Sequence, residues 1–324
     1  MLLSGIPDLL VSEGVPLRRY TRFAIGGPAD VYAETASESA FMTALQRVRS
    51  AGVPHCVIGG GTNLIVSDDG FRGAVLRFTA AEIQAGERSI NVQAGAVLQD
   101  LVDFAISRGL RGIETMTGIP GSTGAAIYGN AGAYGHSIME RIESVRFFDG
   151  EGVRTFGNTE CDFHYRESVF KRRKDWVIFS AMLRMDAADP HELAGAASKI
   201  LAIRNAKYPP TMKCAGSIFK NLILSELPAT VRARVPDTVV REGKVPSAWF
   251  LEQVGAKGMR NGDIHVADYH ANLIYNAGEG SARELCEVIA ELKLRVQDEF
   301  GFALEEEVQY VGFSTNGRGA VADG

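Results

Sequence analysis

Clusters of glycine constrain this chain more than any other feature of its sequence. Glycine accounts for 36 of the 324 residues, or one in nine, whereas about 7% is usual. The glycines concentrate at Gly59–Gly61, at Gly118–Gly135 and around Gly255–Gly262. Because glycine readily adopts positive φ and lets other groups approach the main chain, each cluster indicates backbone that turns sharply or lies against a ligand.

Composition and charge exclude several classes of function. Hydrophobic residues make up 46% of the chain and the net charge is −5, so we expect a substantial core and no nucleic-acid partner, which would need a basic surface. Apolar runs stay below the roughly 18 residues of a membrane helix, which predicts no membrane insertion. The segment from Met1 to Glu13 lacks the basic region of a secretory signal, and the protein is therefore expected in the cytoplasm.

The four cysteines indicate a reduced protein without a metal centre. Cys56, Cys161, Cys214 and Cys286 lie far apart, with no CxxC pair and no matching histidine spacing. This spacing predicts no metal site and no disulfide framework. Free thiols also fit the reducing environment of the cytosol.

The hydrophobic pattern predicts helices and strands separated by Gly- and Pro-rich turns. Helices are expected from a Ser37 cap to Gly52, from Leu98 to Gly109, from about Glu192 to Asn205, and from a Ser281–Glu284 capping box to Gly301. Strands are expected at Cys56–Ile58, which should be buried, and at Ala74–Leu76, Ile90–Ala94, Val145–Phe148, Val153–Phe156, Trp176–Met185 and Val308–Val311.

The first glycine cluster directly follows a predicted strand. Successive N–H groups in the loop Gly59–Asn63 could form a concave anion site for phosphate oxygens. The loop is not the dinucleotide fingerprint, since Leu64 stands where the third glycine should be, and no Gly-Lys-Ser follows as in a Walker loop. A tight structural turn is the alternative interpretation.

The second cluster favours a ligand over a plain turn. Gly118–Gly124 is followed closely by Asn130–Gly135, and so much glycine in one stretch costs backbone entropy on folding. A ligand lying against the main chain would explain that cost, whereas an ordinary glycine-rich surface loop would not.

Six blocks of sequence, in order, resemble those of the UDP-N-acetylenolpyruvoylglucosamine reductase (MurB) family. Any one block is a weak signal, but together they span nearly the whole chain. The blocks are Thr21–Gly27, Ile58–Leu64, Gly118–Gly124 with Asn130–Gly135, Cys161–Phe170, Ala215–Asn221 and Leu304–Val308.

The resemblance implies an α+β fold. Its first part is a two-subdomain FAD-binding fold of the vanillyl-alcohol-oxidase (PCMH) type, and its second a C-terminal α+β substrate-binding domain. The predicted boundaries are 1–80 and 81–208 for the two FAD-binding subdomains, 209–312 for the substrate-binding domain and 313–324 for a flexible tail. Pro209-Pro210 marks the main boundary in the sequence.

The resemblance also implies an enzyme, a flavin-dependent UDP-N-acetylmuramate dehydrogenase. It would use NADPH to reduce UDP-N-acetylglucosamine enolpyruvate to UDP-N-acetylmuramate, a step in peptidoglycan synthesis and hence in cell-wall biogenesis, cell shape and division. FAD is expected to bind non-covalently although His55 precedes the first loop, and a monomer is expected. The implied FAD-binding residues are Gly59, Gly60, Gly61, Thr62, Asn63, Gly118, Ile119, Pro120, Gly121, Ser122 and Gly124.

Three residues match the family's catalytic positions. The reaction delivers a hydride to the terminal enolpyruvyl carbon, and negative charge then spreads from the neighbouring carbon into the carboxylate. Arg166 could hold that carboxylate with its planar fork, and Ser217 could protonate the carbon because the intermediate is strongly basic. Glu307 could hold a water or polarise the intermediate. Without the resemblance, the sequence favours a surface arginine in a salt bridge at Arg166. Ser217 could be a serine in a tight Gly-Ser turn, and Glu307 could equally be one of three solvated charges.

Weaker predictions concern the substrate pocket and the neighbours of Glu307. Tyr134, Asn221 and His270 are candidate substrate contacts, and Lys220 is given no catalytic role. If 305–307 is a strand, Glu305 and Glu307 share one face and Glu306 should face solvent.

The chain departs from the family pattern in three places. Leu222 occupies a position where proline is common, and Leu222–Pro246 is longer than usual. Only 50 residues lie between Arg166 and Ser217, so the chain resembles the family type without the tyrosine-bearing loop there. An oxygen-reacting oxidase of the same flavin fold, and a flavin-binding protein without turnover, are the competing hypotheses.

Overall fold

The computed structural model describes residues 2–313. Its α-helices are α1 Glu38–Ser50, α2 Leu98–Ser107, α3 Thr123–Tyr128, α4 Val169–Arg172, α5 Pro190–Lys207, α6 Ala229–Arg232, α7 Ser247–Gln253 and α8 Ala282–Phe300. No helix within these residues is both long and apolar enough to cross a membrane. The predicted flexible tail lies, from residue 314 onward, outside the described residues.

The strands in the first two-thirds of the chain are β1 Leu10–Pro16, β2 Pro28–Thr35, β3 His55–Ile58, β4 Leu64–Val66, β5 Phe71–Phe78, β6 Ile83–Ala85, β7 Ser89–Gln93, β8 Leu110–Arg111, β9 Gly132–Ala133, β10 His136–Ser137, β11 Ile142–Phe148, β12 Val153–Gly157, β13 Val177–Arg184 and β14 Asp186–Ala187. The remaining strands are β15 Lys213–Ser217, β16 Leu222–Ile223, β17 Lys244–Val245, β18 Arg260–Asn261, β19 Ile264–Ala267, β20 His270–Asn276 and β21 Gln309–Val311.

The chain divides into two compact units. Among the described residues, the first comprises 2–15, 30–61 and 73–210, and the second comprises 16–29, 62–72 and 211–313. The three-part division into 1–80, 81–208 and 209–312 stays a prediction.

The first unit is built on two sheets. One has the strand order β1-β2-β5-β3, and the other, fully antiparallel, has the order β12-β11-β13-β7-β6. Phe41 of α1 packs edge-on against Phe78 and Phe179, with ring centroids 5.8 and 6.2 Å apart. These rings join α1, the helix predicted from Ser37 to Gly52, to a strand of each sheet, and Phe41 is buried in the core.

The second unit centres on the sheet β15-β20-β19-β18 and on α8. The capping box of α8 is present as predicted, with Ser281 and Glu284 bonding each other's main-chain N–H. Asp68 accepts two further N–H groups of this helix, those of Ala282 and Arg283, at 2.8 and 3.0 Å. The long stretch Leu222–Pro246 is closed at its base, where β16 pairs antiparallel with β17.

Most predicted helices and strands are confirmed, with ends within one or two residues of the prediction. The predicted burial of one strand is wrong. The strand Cys56–Ile58 exists within β3, but Val57 is 38% exposed and only Ile58 is buried. The side chain of Val57 points to the face of β3 opposite that of the buried Ile58, and β3 is the last strand of its sheet, with no neighbouring strand on one side.

Candidate active site

The two glycine loops of the first unit lie directly against each other. A Cβ atom on Gly60 would lie 3.0 Å from Gly121 Cα and 3.3 Å from Ser122 N, and one on Gly59 would lie 2.7 Å from Ser122 Oγ. Any side chain at these positions would push the loops apart. Close backbone approach, and not turn geometry alone, therefore explains glycine here.

Main-chain donors collect where the loops meet. Gly121 O accepts Leu98 N at 2.9 Å, and Thr123 N donates to Ala96 O at 2.8 Å, which anchors the second loop to the start of α2. Within residues 2–313, no acceptor is found for the N–H groups of Gly60, Gly61, Gly121 and Ser122. Such a group of donors suits phosphate oxygens.

Thr123 adds a side chain that the sequence-based set did not include. It is completely buried, yet its Oγ1 has no hydrogen-bond partner among the described residues. Because this hydroxyl is enclosed by protein atoms, a cofactor does not reach it in this conformation. The main-chain N–H groups of Gly60, Gly61, Gly121 and Ser122 are the donors that fit a group rich in oxygen atoms, such as FAD. The position of Thr123 between Ser122 and Gly124 was the available signal in the sequence.

Gly118 and Gly124 owe their identity to packing within the protein. A Cβ on Gly124 would lie 2.8 Å from Ala94 Cβ, and one on Gly118, at φ +73°, would lie 3.0 Å from Leu201 Cδ1. The main chain of Gly118 is also held, since its N–H donates to Gln99 Oε1 at 2.6 Å. These glycines bring the loop against strand and helix and need not themselves contact a cofactor.

Arg166 is held rigidly in the first unit. Its backbone is left-handed (φ +59°), its Nη2 donates to Gly132 O at 3.0 Å, and its guanidinium carbon lies 5.3 Å from the Tyr165 ring centroid. Lys171 Nζ donates to the Arg166 carbonyl at 2.8 Å. A left-handed arginine is energetically costly, and such strain occurs preferentially at functional sites.

The buried Asn130 supports the loop that carries Arg166. Its Nδ2 donates to His164 O at 2.7 Å, and its own backbone is left-handed with φ +43°. Its side chain is almost fully buried. Asn130 thus ties the second glycine segment to the Arg166 loop, and the sequence-based set of site residues did not include it.

Tyr134 occupies the tip of a two-residue hairpin between β9 and β10. Both tip residues have positive φ, +54° at Tyr134 and +83° at Gly135, as in a type I′ turn, where Asn or Gly is usual. Tyr134 is also 47% exposed. The role of Tyr134 as a substrate contact stays a prediction.

A β-bulge positions Ser217 in the second unit. Cys214 pairs with Tyr275 but Ser217 pairs with Leu273, so β15 has one more residue than β20 over this stretch. Gly216 takes the left-handed conformation at φ +77° that the bulge requires. Bulges of this kind redirect a side chain next to an active site, and Ser217 is the residue so placed.

The chain segments that carry Ser217 and Glu307 are paired through their backbones. Glu307 N donates to Ile218 O at 2.7 Å, and Phe219 forms an isolated bridge with Glu306. Asn63 Nδ2 in turn donates to Glu307 O at 2.9 Å. Two predicted catalytic residues and one predicted FAD contact therefore belong to one hydrogen-bonded framework in the second unit.

The glutamates at 305–307 differ from the prediction. Glu306 is not the solvent-facing one, because its side chain is 15% exposed and pairs with Lys293 at 2.9 Å, whereas that of Glu305 is 71% exposed. Glu305 instead accepts a hydrogen bond from the ammonium group of the buried Lys220. The reason is irregular backbone, since 303–307 holds a single bridge residue and no continuous strand, and strand alternation therefore does not apply.

The other predicted residues of the second unit lie near the Ser217 segment. His270 begins β20, and its Nδ1 accepts the N–H of Asn272 at 3.1 Å. Asn221 is exposed, and its Oδ1 accepts Ser247 N at 3.4 Å. Among the described residues, no three His, Cys, Asp or Glu side chains are grouped as metal ligands.

Comparison with known proteins identifies the family. A family model described as UDP-N-acetylenolpyruvoylglucosamine reductase, C-terminal domain, matches residues 208–311, and an FAD binding domain model matches residues 29–156. The UDP-N-acetylenolpyruvoylglucosamine reductase of Solibacter usitatus is 65% identical over 96% of this chain and 100% of its own length. The chain belongs to the UDP-N-acetylenolpyruvoylglucosamine reductase family.

More distant members of the MurB family agree with this assignment. The reductase of Rubrobacter xylanophilus is 35% identical over 92% of this chain and 94% of its own length. The crystal structure of the enzyme from Thermus caldophilus superposes with a TM-score of 0.72 at 26% identity, covering 94% of this chain and 98% of that one. The predicted family, the predicted fold class and the prediction of a flavin-dependent oxidoreductase are confirmed.

Proposed function

We propose that this enzyme reduces UDP-N-acetylglucosamine enolpyruvate to UDP-N-acetylmuramate, with NADPH as the reductant and non-covalent FAD as the carrier. It would act as a cytoplasmic monomer in peptidoglycan precursor synthesis, and thus serve cell-wall biogenesis, cell shape and cell division. The backbone pairing of the Ser217 and Glu307 segments carries the proposal, because an oxygen-reacting oxidase of the same fold would need neither residue.

FAD would be held chiefly by the main chain in the first unit. The N–H groups of Gly60, Gly61, Gly121 and Ser122 suit the pyrophosphate. When bound, FAD supplies the chemistry of accepting a hydride from NADPH and donating it to the enolpyruvyl group. His55 supports non-covalent binding, because its Nδ1 is engaged by Val53 O at 3.2 Å and Arg49 Nε donates to its Nε2 at 3.5 Å.

The protein side chains would stabilise the developing negative charge and supply the proton. Arg166 would bind the substrate carboxylate through two hydrogen bonds and stabilise the negative charge that develops there. The Ser217 hydroxyl would deliver the proton to the carbon next to the carboxylate. Glu307 would hold a water near that carbon, and Tyr134, Asn221 and His270 would contact the nucleotide sugar.

An anaerobic absorption experiment tests this proposal. We expect the purified protein to show a flavin spectrum that NADPH bleaches and that UDP-N-acetylglucosamine enolpyruvate restores without oxygen. If only air restores the colour, the enzyme is an oxidase. If no flavin is present and none can be taken up, the cofactor assignment is wrong. Acid precipitation should release the flavin into the supernatant, since nothing covalent holds it.

A further inference from the structure

We infer that Asn272 is a positioning residue for proton transfer, acting through the segment that carries Ser217. The inference rests on the proposed role of Ser217. Asn272 lies in β20, is 2% exposed, and none of the six sequence blocks that carry the family resemblance includes it.

The bulge at Gly216 creates the need for such a residue. Regular pairing between β15 and β20 ends at the Ser217–Leu273 pair, so the residues directly after Ser217 leave the strand. Ile218 keeps main-chain partners, since its N–H donates to Asn272 O at 3.2 Å and its carbonyl accepts Glu307 N at 2.7 Å. Phe219, which is 1% exposed, has no main-chain partner for its N–H or its carbonyl among the described residues. Buried main-chain groups that are not paired in a sheet need other partners, because an unmade bond there costs free energy.

The side-chain amide of Asn272 supplies these partners. Its Oδ1 accepts the N–H groups of Ile218 at 3.1 Å and Phe219 at 2.9 Å, and its Nδ2 donates to Phe219 O at 2.9 Å. The second Nδ2 hydrogen goes to Ser247 Oγ at 2.7 Å. Both lone-pair directions of the oxygen and both hydrogens of the nitrogen are thus used, so the amide is held in one orientation.

Ser247, at the start of α7, contacts the same main-chain carbonyl, that of Phe219. It is completely buried, and its hydroxyl donates to Phe219 O at 3.2 Å while accepting from Asn272. The Phe219 carbonyl therefore has two side-chain donors. Because networks of this kind fix backbone position more firmly than single bonds do, the two side chains hold the segment two residues beyond Ser217.

A fixed segment matters for proton transfer and not for reduction of the cofactor. The Ser217 hydroxyl must lie within hydrogen-bond distance of the carbon that it protonates, and a shift of 1 Å can cost about 10²-fold in rate. NADPH oxidation makes no demand on Ser217 in the proposed mechanism. The two half-reactions should therefore respond differently to substitution of Asn272.

The test measures the two half-reactions separately, by anaerobic stopped flow on flavin-loaded enzyme. The variants are Ser217→Ala, Asn272→Ala, Ser247→Ala and the double variant Ser217→Ala/Asn272→Ala. Asn276→Ala is the matched control, since Asn276 lies in the same strand, is 3% exposed, and bonds to Phe23 O, Gly278 N and Gly280 N but not to the Ser217 segment.

We expect Asn272→Ala to leave the rate of reduction by NADPH within threefold and to slow reoxidation by the enolpyruvyl substrate by about 10–10²-fold. Its solvent deuterium isotope effect on reoxidation should rise, because proton transfer becomes more rate-limiting. In the Ser217→Ala background, the same change should slow reoxidation by less than threefold further. Ser247→Ala should follow the same pattern more weakly, and it keeps the test valid if Asn272→Ala fails to fold.

Three results would overturn the inference. Equal slowing of both half-reactions, or an effect matched by Asn276→Ala, would mean that Asn272 has only a structural role. If Asn272→Ala slows reoxidation as much in the Ser217→Ala background as it does alone, Asn272 does not act through Ser217. The proposed role of Ser217 itself would then stand. If Ser217→Ala alone leaves reoxidation unchanged, the proposed proton donor is wrong and the inference falls with it.

Discussion

At the scale of single residues, three of the seven non-glycine residues with positive φ among the described residues belong to the candidate site of the first unit. Arg166, Tyr134 and Asn130 all have left-handed backbones although none is glycine. Such conformations cost of order 1–3 kcal/mol each and persist only where surrounding contacts hold them. Arg166 and Asn130 have those contacts in the Gly132 carbonyl and the His164 carbonyl.

Replacing Arg166 with lysine should separate charge from geometry. Lysine keeps a positive charge but loses the planar fork, so we expect turnover to fall by about 10²–10³-fold, the usual effect of losing a preorganised electrostatic contact. Steady-state rates with the enolpyruvyl substrate measure this. Arg172→Lys is the matched control, since Arg172 is an exposed arginine of the same region that pairs with Asp162, and an equal loss there would argue against the assignment.

Asp189 should make the stability of the first unit depend on acid pH. The N–H groups of Glu192 and His191 bond its carboxylate at the start of α5 and hold its pKa below the usual value. Its stabilising effect is thus present above the pKa of an unfolded Asp and is lost as pH falls through the lower folded pKa. Asp189→Asn keeps the cap but cannot titrate, so urea midpoints at pH 7 and pH 3 should differ less for this variant than for the parent.

At the scale of elements, the loops and the bulge owe their shapes to contacts made far away in sequence. Gly60 is packed by Gly121 and Ser122, and the bulge at Gly216 is matched to β20. These two elements place the candidate cofactor and proton-donor groups, and each offers a test with its own glycine control.

Gly60→Ala should weaken FAD binding. The added methyl group would lie 3.0 Å from Gly121 Cα, and overpacking of this kind costs roughly 1–3 kcal/mol. Because the distortion falls on the main-chain donors, we expect FAD affinity to fall by about 5–150-fold. Fluorescence titration of the apoprotein with FAD measures the effect. Gly195→Ala in α5 is the control, since nothing lies within 4 Å of its Cβ position, and its FAD affinity should not change.

Gly216→Ala should slow reoxidation of the flavin by substrate, and its loss of folding stability should be no larger than that of a matched glycine substitution elsewhere. Its φ is +77° and nothing lies within 4 Å of its Cβ position, so the cost is backbone strain of about 1–2 kcal/mol. Gly255→Ala has the same open surroundings at φ +71° and should lose similar stability in urea unfolding. Only the change at Gly216 should slow reoxidation, and equal kinetics for both variants would contradict the role given to the bulge.

At the scale of the whole molecule, neither unit is one continuous stretch of chain. The second unit takes in residues 16–29 and 62–72 besides the C-terminal part. In it β21 pairs in parallel with β4, Asp68 caps α8, and Asn276 bonds to Phe23 O at 3.1 Å. The C-terminal part thus depends on segments that precede it by about two hundred residues along the printed sequence.

A fragment comprising residues 209–324 should therefore not fold alone. It would lack the partner strand of β21 and the carboxylate that caps α8, and it would leave a hydrophobic face uncovered. Circular dichroism and limited proteolysis of the fragment measure this, with the full chain as control. A cooperative thermal transition and protease resistance in the fragment would show that the C-terminal part is autonomous.

The sequence by itself determined the local elements and the family. The helix caps at Ser37 and Ser281 and the strands at Val145–Phe148 and Val153–Phe156 depend on residues close together in the chain, so their pattern can be recognised without a structure. The ordered blocks likewise indicated the MurB family, because six short motifs that occur in order along nearly the whole chain are specific together. Their assignment of Arg166, Ser217 and Glu307 to catalysis stays a prediction.

Tertiary structure alone decided which neighbours those residues have. The contact of Gly60 with Gly121, the pairing of Glu307 with Ile218 and the amide of Asn272 between Ile218 and Phe219 join positions about 50–90 residues apart. The exposure of Glu305 in place of Glu306 followed from an irregular segment that no periodicity describes. Long-range contacts form only when the chain has folded, and residues at such separations carry no local pattern that would reveal them.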